Sequence, residues 1–240
     1  MTFARYRFRA RLVAVRDAAI RASYSIRRSL PLGVLALACL MTATAHAHPH
    51  VWATIKTDLI YAPDGSVTAV RHAWTFDDMF SAFATLGIKP HTKGQFGREE
   101  LQPLAKVNVD SLKGFAYFTF PSINDVRQKN AFDDAVDYWL YYDPKAKVLT
   151  LHFTLPLKQP LKAKVLKIEV YDPEFFIDFA FAAHNPIKLV GAPAQCAAWT
   201  EKPNDPHFLS AQSLNKSFVP SEAFVGMGAM FANKILVQCP

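Results

Sequence analysis

The chain has 240 residues and a formal net charge of +7 at pH 7. A charge of this size favours a nucleic-acid or anionic-membrane partner only where the basic residues belong to the working domain. Here residues 1–47 hold eight of the 27 basic residues and one of the 20 acidic residues, so 19 of each remain in residues 48–240. Composition therefore excludes an electrostatic nucleic-acid binder, and the remaining 193 residues suffice for one domain with a hydrophobic core.

The N-terminal segment predicts a cleaved secretion signal. Its basic start is followed by an apolar run from Leu30 to Ala45, which is too short for a membrane span and typical of a signal-peptide core. Ala45 and Ala47 fit the small-residue cleavage rule. We expect a signal peptide over 1–47 and a single β-rich periplasmic domain over 48–240, with no transmembrane segment after cleavage. The alternative, lipidation at Cys39, has only a poor lipobox before it.

The first predicted elements of the domain are two strands. Apolar residues alternate from Val51 to Tyr61, and again over 67–76, on either side of a Pro63-Asp64-Gly65 turn signal. This pattern predicts a β-hairpin. His72 shares parity with the apolar positions of the second strand, so it is read as a hydrogen-bonded core histidine rather than a metal ligand.

Two helices are predicted next, as an insertion over 77–113. The first runs from Asp77 to about Leu86, with Phe80, Phe83 and Ala84 as its apolar stripe, and the second spans 98–113 and ends at Gly114. The loop over 89–100 has the length of an EF-hand loop, with glycine at its sixth place and glutamate at its twelfth. Its first, third and fifth places are Lys89, His91 and Lys93, which argue against calcium. We expect a degenerate EF-hand-like helix-loop-helix.

The rest of the chain predicts mostly strands, over 115–121, 138–142, 149–155, 165–171 and 235–237, with a long surface excursion over 193–220. The fold class expected is α+β, a mainly antiparallel β domain with the helical insertion. Cys196 and Cys239 remain after signal removal, and two cysteines in an exported chain favour a disulfide. A thiolate metal site is the weaker alternative, because the cysteines lack close spacing.

A metal-binding terminus is the main functional prediction. Cleavage after Ala47 would expose His48-Pro49-His50, in which two imidazoles and a free amine lie close together and suit zinc, nickel or copper. Pro49 has no N–H, which excludes the arrangement with two deprotonated backbone amides. A brace in which His48 binds through its amine and ring remains open. The candidate distant ligands, in falling order, are Asp178, Asp172, Asp77 and His184. Structural pairing is the commoner role for a carboxylate such as Asp178, which stands in a run of phenylalanines.

Enzyme motifs are scarce. The sequence has no nucleophile elbow, no H-E-x-x-H and no glycine-rich phosphate loop, so we expect a protein that is not an enzyme. A copper oxidase built on the histidine brace is the enzymatic alternative. A structural or interaction module of an envelope transport complex, with a merely tolerated His-Pro-His start, is the non-catalytic alternative.

Four segments carry a family resemblance. They are the start His48-Pro49-His50-Val51-Trp52, Trp74-Thr75-Phe76-Asp77-Asp78, the run over 151–157, and Val170-Tyr171-Asp172-Pro173. The chain resembles a family of exported bacterial proteins catalogued as a domain of unknown function. Its members are often labelled a periplasmic component of an uncharacterised ABC-type transport system, and often stand beside nickel/cobalt-type permeases. The resemblance implies a periplasmic metal-binding accessory of a zinc or nickel/cobalt transport system, with an inner-membrane permease or ABC-type transporter as partner.

Overall fold

The computed structural model describes residues 49–203 and 227–240. The predicted signal peptide, His48 and most of the predicted surface excursion lie outside these residues. In chain order, the described strands are β1 (Val51–Tyr61), β2 (Val67–Phe76), β3 (Thr119–Ile123), β4 (Val126–Arg127), β5 (Val136–Asp143), β6 (Val148–Leu161), β7 (Val165–Val170), β8 (Ile177–Phe181), β9 (Ile187–Val190), β10 (Ala197–Glu201) and β11 (Asn233–Gln238). The described helices are α1 (Asp78–Ala84) and α2 (Arg98–Lys113).

The first sheet is organised around the predicted hairpin. Its strand order is β5-β6-β2-β1-β8, and β9 continues beside β1 beyond β8. β1 and β2 pair antiparallel over nearly their whole length, whereas β8 and β9 pair with β1 in parallel. The chain reverses between β1 and β2 at Gly65, whose φ of +80° suits glycine. The hairpin prediction is confirmed, and the two parallel pairings are features that the alternation pattern did not predict.

The second sheet has the order β10-β11-β7-β3-β4. β10 lies inside the segment that was predicted as a surface excursion, so that prediction is wrong over Ala197–Glu201. Its partner is β11, with Ala197 opposite Gln238. The predicted disulfide between Cys196 and Cys239 stands directly beside this pair, and it is confirmed. The bond therefore closes the edge of the second sheet.

The core lies between the inner faces of the two sheets. Trp74 and Phe153 of the first sheet are fully buried, and their rings contact edge to face at 4.8 Å between centroids. His72 lies beside them and is 1% exposed. Its Nε2 lies 3.1 Å from Thr119 Oγ1, so the imidazole links the first sheet to the second. The core interpretation of His72 is confirmed.

The two helices pack differently from one another. α2 buries one face, through Leu101, Ala105, Val109 and Leu112, and ends at Gly114 as predicted. In α1 the buried residue is Ser81, whose hydroxyl accepts a hydrogen bond from the Leu149 backbone N–H. Phe83, predicted to face inward, is 73% exposed because the serine side of this short helix contacts the sheet. The fold is thus a mostly β domain with two described helices, and no described helix is long and apolar enough to cross a membrane.

The predicted strand over 115–121 begins later than expected. Thr119–Ile123 forms β3, but residues 116–118 form a tight turn in which Ala116, Tyr117 and Phe118 have φ of 52°, 53° and 49°. Left-handed backbone of this kind costs L-residues roughly 1–2 kcal/mol each. Buried contacts support the turn, since the Tyr117 hydroxyl accepts from the Ala135 N–H at 3.2 Å.

Candidate metal site at the start of β1

His50 lies directly before β1, at the open end of the first sheet. Its backbone N–H donates to the Phe176 carbonyl at 2.9 Å, and its exposed ring lies 4.8 Å from the Phe176 ring. The Val51 N–H donates to the same carbonyl at 3.3 Å, and the parallel register of β1 and β8 begins there, with Val51 opposite Ile177. The imidazole is therefore held at a defined place on the sheet. His48, its predicted partner, lies outside the described residues.

The same register brings one predicted carboxylate close to His50. Trp52 pairs with Asp178, so the two side chains share one face of the sheet. Trp52 is 47% exposed while Val51 and Ala53 are buried, which makes this the outer face. His50 is two residues before Trp52 and directly before the start of β1.

Asp178 is half-buried, and burial raises the pKa of its carboxyl group. Within residues 49–203 and 227–240 this carboxylate forms no hydrogen bond and no ion pair. Loss of water without a compensating partner is unfavourable for an anion, which is the cause of the shift. A cation on the outer face would supply the missing partner.

Asp77 lies close to the same place but is already bonded. Its Oδ2 accepts from the Trp52 N–H at 2.9 Å, and its Oδ1 accepts from the Phe80 N–H at 2.8 Å as the N-cap of α1. Its own N–H donates to the Trp52 carbonyl. Asp77 therefore fixes the start of β1 to the start of α1, and Asp178, Trp52 and Asp77 form one row across three chain segments.

Asp172 is 4% exposed and holds a turn together. Its Oδ1 accepts from the Glu174 N–H at 2.9 Å, and its Oδ2 accepts from the N–H groups of Phe176 and Ile177, each at 3.0 Å. These bonds shape the chain immediately before β8, so Asp172 positions Phe176 and Asp178. Asp172 therefore has a structural role in this turn, and its side chain does not lie on the exposed outer face.

His184 lies in the turn between β8 and β9, beyond the end of β8 that is remote from Asp178. β8 runs parallel to β1, and the Thr57 N–H donates to the Pro186 carbonyl, so this turn lies beside the middle of β1 rather than its start. His184 is exposed there and is not brought together with His50. Of the predicted ligands, Asp178 lies opposite Trp52, two residues after His50, and Asp77 is bonded to Trp52.

No three His, Cys, Asp or Glu side chains come together as a metal-binding group among the residues that the structure describes. Both cysteines of the domain form the disulfide, which removes them as thiolate ligands. A site at His50 and Asp178 therefore needs a further donor, and His48 is the histidine that precedes His50 by two residues.

Trp52 is the member of this row that sequence reasoning did not single out. The signal was available, because Trp52 shares the parity of Thr54 and Lys56 on the polar side of β1.

In the loop over 89–100, the glutamate at the twelfth place accepts backbone hydrogen bonds. The Glu100 carboxylate accepts from the backbone N–H groups of His91 and Gly97, each at 2.5 Å. These bonds lower the pKa of the Glu100 carboxyl group, with the Gly97 bond the larger cause. The glutamate thus closes the loop and caps α2.

Sequence comparison agrees with the resemblance. A family model described as a protein of unknown function, DUF1007, matches residues 33–239. An uncharacterized protein of Haemophilus influenzae (strain Rd) is 25% identical over 207 residues, which cover 80% of this chain and 91% of that protein. The family match extends over nearly the whole of both described sheets. The chain therefore belongs to the DUF1007 family.

Proposed function

We propose that this protein is a periplasmic metal-binding accessory of a transition-metal transport system, which binds its ion at the start of β1 through His48, His50 and Asp178. The observation that carries the proposal is Asp178: a half-buried carboxylate without a bond among the described residues, opposite Trp52, which follows His50 by two residues. A structural carboxylate would be bonded as Asp172 is.

The donor types set the class of ion. Two imidazoles and one carboxylate suit zinc or nickel, and the absence of a free thiolate in the domain disfavours copper(I). The mature terminal amine is available as a fourth donor. The degenerate EF-hand interpretation of the loop over 89–100 belongs to the same proposal: Lys89 and Lys93 replace acidic ligands and Glu100 caps the loop, so calcium is not its ion.

The place of the site suits capture and hand-over. It lies at the chain's mature start and at an open sheet end, where an ion can be reached from solvent and released without unfolding the core. Asp77 keeps this end of β1 in place through its two bonds to Trp52, so exchange of the ion need not disturb the sheet. The partner in this proposal is an inner-membrane permease or ABC-type transporter, which receives the ion.

Calorimetric titration with Zn²⁺, Ni²⁺ and Ca²⁺ tests the site on protein processed to begin at His48. We expect one-to-one binding of zinc or nickel and none of calcium. His50→Ala and Asp178→Asn should each weaken binding at least 10-fold, because each removes a ligand. His184→Ala is the matched control, because His184 is an exposed histidine remote from the site.

A form with one extra residue before His48 reports on the terminal amine. Weaker binding by this form would assign the amine as a ligand and favour the brace arrangement. Binding that is absent, or equal in all of these proteins, would contradict the terminal site and leave the interaction module as the better account.

A further inference from the structure

The short helix α1 is apolar on both of its sides. Phe80 and Ala84 are partly buried and pack against the core. The other side carries Met79, Phe83 and Leu86, which are 71%, 73% and 73% exposed. Leu86 lies just after the helix, and its N–H donates to the Phe83 carbonyl at 3.1 Å, so it continues the helical spacing of the other two. These three side chains form the exposed stripe of α1.

An exposed stripe of this kind differs from the usual outer side of a helix. A helix at the surface of a water-soluble domain carries polar residues on the side away from the core. Contiguous apolar side chains in that position mark a site of contact with another protein or with a membrane. The exposed stripe therefore indicates an interaction surface.

The segment over 85–97, which joins α1 to α2, has a local excess of positive charge. It contains Lys89 and Lys93 and no aspartate or glutamate. Both lysines are exposed, and neither forms an ion pair within the described part of the chain. Lys89 follows Leu86 by three residues, so their backbones are at most about 11 Å apart. An anionic surface in contact with Leu86 would therefore lie within about one Debye length of this ammonium group.

The loop that carries the two lysines is anchored at both ends. Ile88 and Phe96 pack against the core. The Glu100 side chain is 11% exposed, and its oxygens accept from the backbone N–H groups of His91 and Gly97. This carboxylate is thus directed at the loop backbone, and the lysines are exposed on a chain segment whose position is fixed.

The lysines distinguish between the two kinds of partner. Protein interfaces are depleted in lysine and enriched in tryptophan, tyrosine and arginine. An anionic bilayer attracts each lysine near its surface, while adjacent apolar side chains enter the boundary between headgroups and acyl chains. Phenylalanine, leucine and methionine beside lysine match the bilayer.

We infer that the exposed stripe, with Lys89 and Lys93, docks this protein on an anionic phospholipid bilayer. The three apolar side chains insert at the headgroup boundary, and the two ammonium groups lie beside lipid phosphates. The contact is peripheral and uses no ligand of the proposed metal site. It therefore goes beyond the proposed function and needs no ion.

Vesicle sedimentation tests the docking on protein that begins at His48, since residues 48–240 form one compact unit. The vesicles consist of phosphatidylcholine alone or of equal parts of phosphatidylcholine and phosphatidylglycerol. We expect binding to the anionic vesicles to be at least about 10-fold tighter than to the neutral ones, and to weaken in about 0.5 M NaCl. A chelator should leave it unchanged, so a failure of the metal site would not affect this result.

Two double variants separate the apolar part of the surface from the basic part. Phe83→Ser with Leu86→Ser should weaken binding at least about 10-fold, because two inserted side chains are lost. Lys89→Gln with Lys93→Gln should weaken binding about 10- to 30-fold at low salt and remove most of its salt dependence.

The matched controls make the same kinds of change elsewhere. Lys162→Gln with Lys164→Gln removes the same charge from two exposed positions between β6 and β7, at the end of β6 opposite to Leu149 and α1. Val126→Ser removes an apolar side chain that is 65% exposed on β4. Both controls should bind as the unmodified protein does, and every variant should keep its urea midpoint because the replaced side chains are exposed.

Two results would overturn the inference. One is a failure of the unmodified protein to bind anionic vesicles, which would leave a second copy of the chain or another protein as the partner of the exposed stripe. The other is equal binding by the variants of this surface and their controls.

Discussion

The interior around His72 and the sheet end around Asp178 differ in whether a polar side chain has hydrogen-bond partners. Thr119 donates its hydroxyl hydrogen to the Tyr117 carbonyl at 2.8 Å, so its oxygen must accept from His72 Nε2–H. His72 Nδ1 then accepts from the Thr57 hydroxyl at 3.0 Å. This chain of bonds assigns a neutral imidazole with its proton on Nε2, and every polar atom of the ring is satisfied. Asp178 has no such partner in the described chain.

The pair Asp172 and Asp178 repeats this contrast within seven residues. Both follow apolar strand residues and both are plausible ligands by residue type. Asp172 accepts three backbone hydrogen bonds and shapes a turn, while Asp178 accepts none and loses water. The count of satisfied hydrogen bonds, rather than residue type or burial, therefore separates a structural carboxylate from a candidate ligand.

The largest effect is expected for Asp172→Ala. This change leaves three backbone N–H groups without their acceptor in a partly buried turn, so the free energy of unfolding should fall by about 2–4 kcal/mol. Urea unfolding followed by circular dichroism measures it. The turn also aligns β8, so His50 and Asp178 should lose their register together with stability.

Asp172→Asn is the control, because it keeps one acceptor oxygen and nearly the same volume. It should lose less than Asp172→Ala. A loss below about 1 kcal/mol for the alanine variant would show that the turn does not depend on this carboxylate, and the contrast with Asp178 would fail.

The second-largest effect is a loss of stability at low pH that arises from His72. Burial lowers the pKa of His72 to about 3, from an ordinary value of 6.5. As pH falls below 6.5, His72 becomes protonated in the unfolded chain but stays neutral in the folded chain. The stability that is present above pH 6.5 is therefore lost as pH falls toward 3. The slope approaches about 1.4 kcal/mol per pH unit, which gives a loss of about 2 kcal/mol between pH 6.5 and 4.5.

His72→Gln isolates this contribution, since glutamine has a donor and an acceptor but does not titrate. Its free energy of unfolding should be lower than that of the unmodified protein at pH 7 and nearly equal to it at pH 4.5. Parallel pH profiles for the two proteins would refute the neutral, buried assignment of His72.

Local pattern predicted much of the fold. Alternation gave β1 and β2 their ends, parity placed His72 inside, and the apolar spacing with a terminal glycine placed α2 over 98–113. The failures share a cause, which is that long-range contacts override local preference. Ser81 rather than Phe83 faces the sheet because its hydroxyl bonds the Leu149 N–H of a distant strand. Residues 116–118 are β-prone but turn left-handed against the core.

The candidate site was only partly visible in the sequence. His50 and Asp178 are 128 positions apart, and their proximity depends on the parallel pairing of β1 with β8, which alternation alone cannot specify. In the sequence, Asp178 ranked above Asp172 because of its phenylalanine neighbours. The physical difference is the number of hydrogen bonds that each carboxylate accepts, and this number depends on the backbone conformation over 172–177.

The smallest effect on stability is expected for Asp178→Asn, which tests directly whether this carboxylate is kept for stability. Asp178→Asn keeps the size of the side chain and removes a charge that burial disfavours, so the free energy of unfolding in the presence of a chelator should stay within about 1 kcal/mol and shift upward if it moves. Because the folded pKa of Asp178 is raised, the stability linked to its protonated form is lost as pH rises through that pKa. The gain from asparagine should therefore be larger at pH 7 than at pH 3.5, the reverse of the His72 pattern. A carboxylate kept for stability would give the opposite result, with Asp178→Asn destabilising at pH 7. Stability retained together with zinc binding lost would identify Asp178 as a ligand whose partner is the ion.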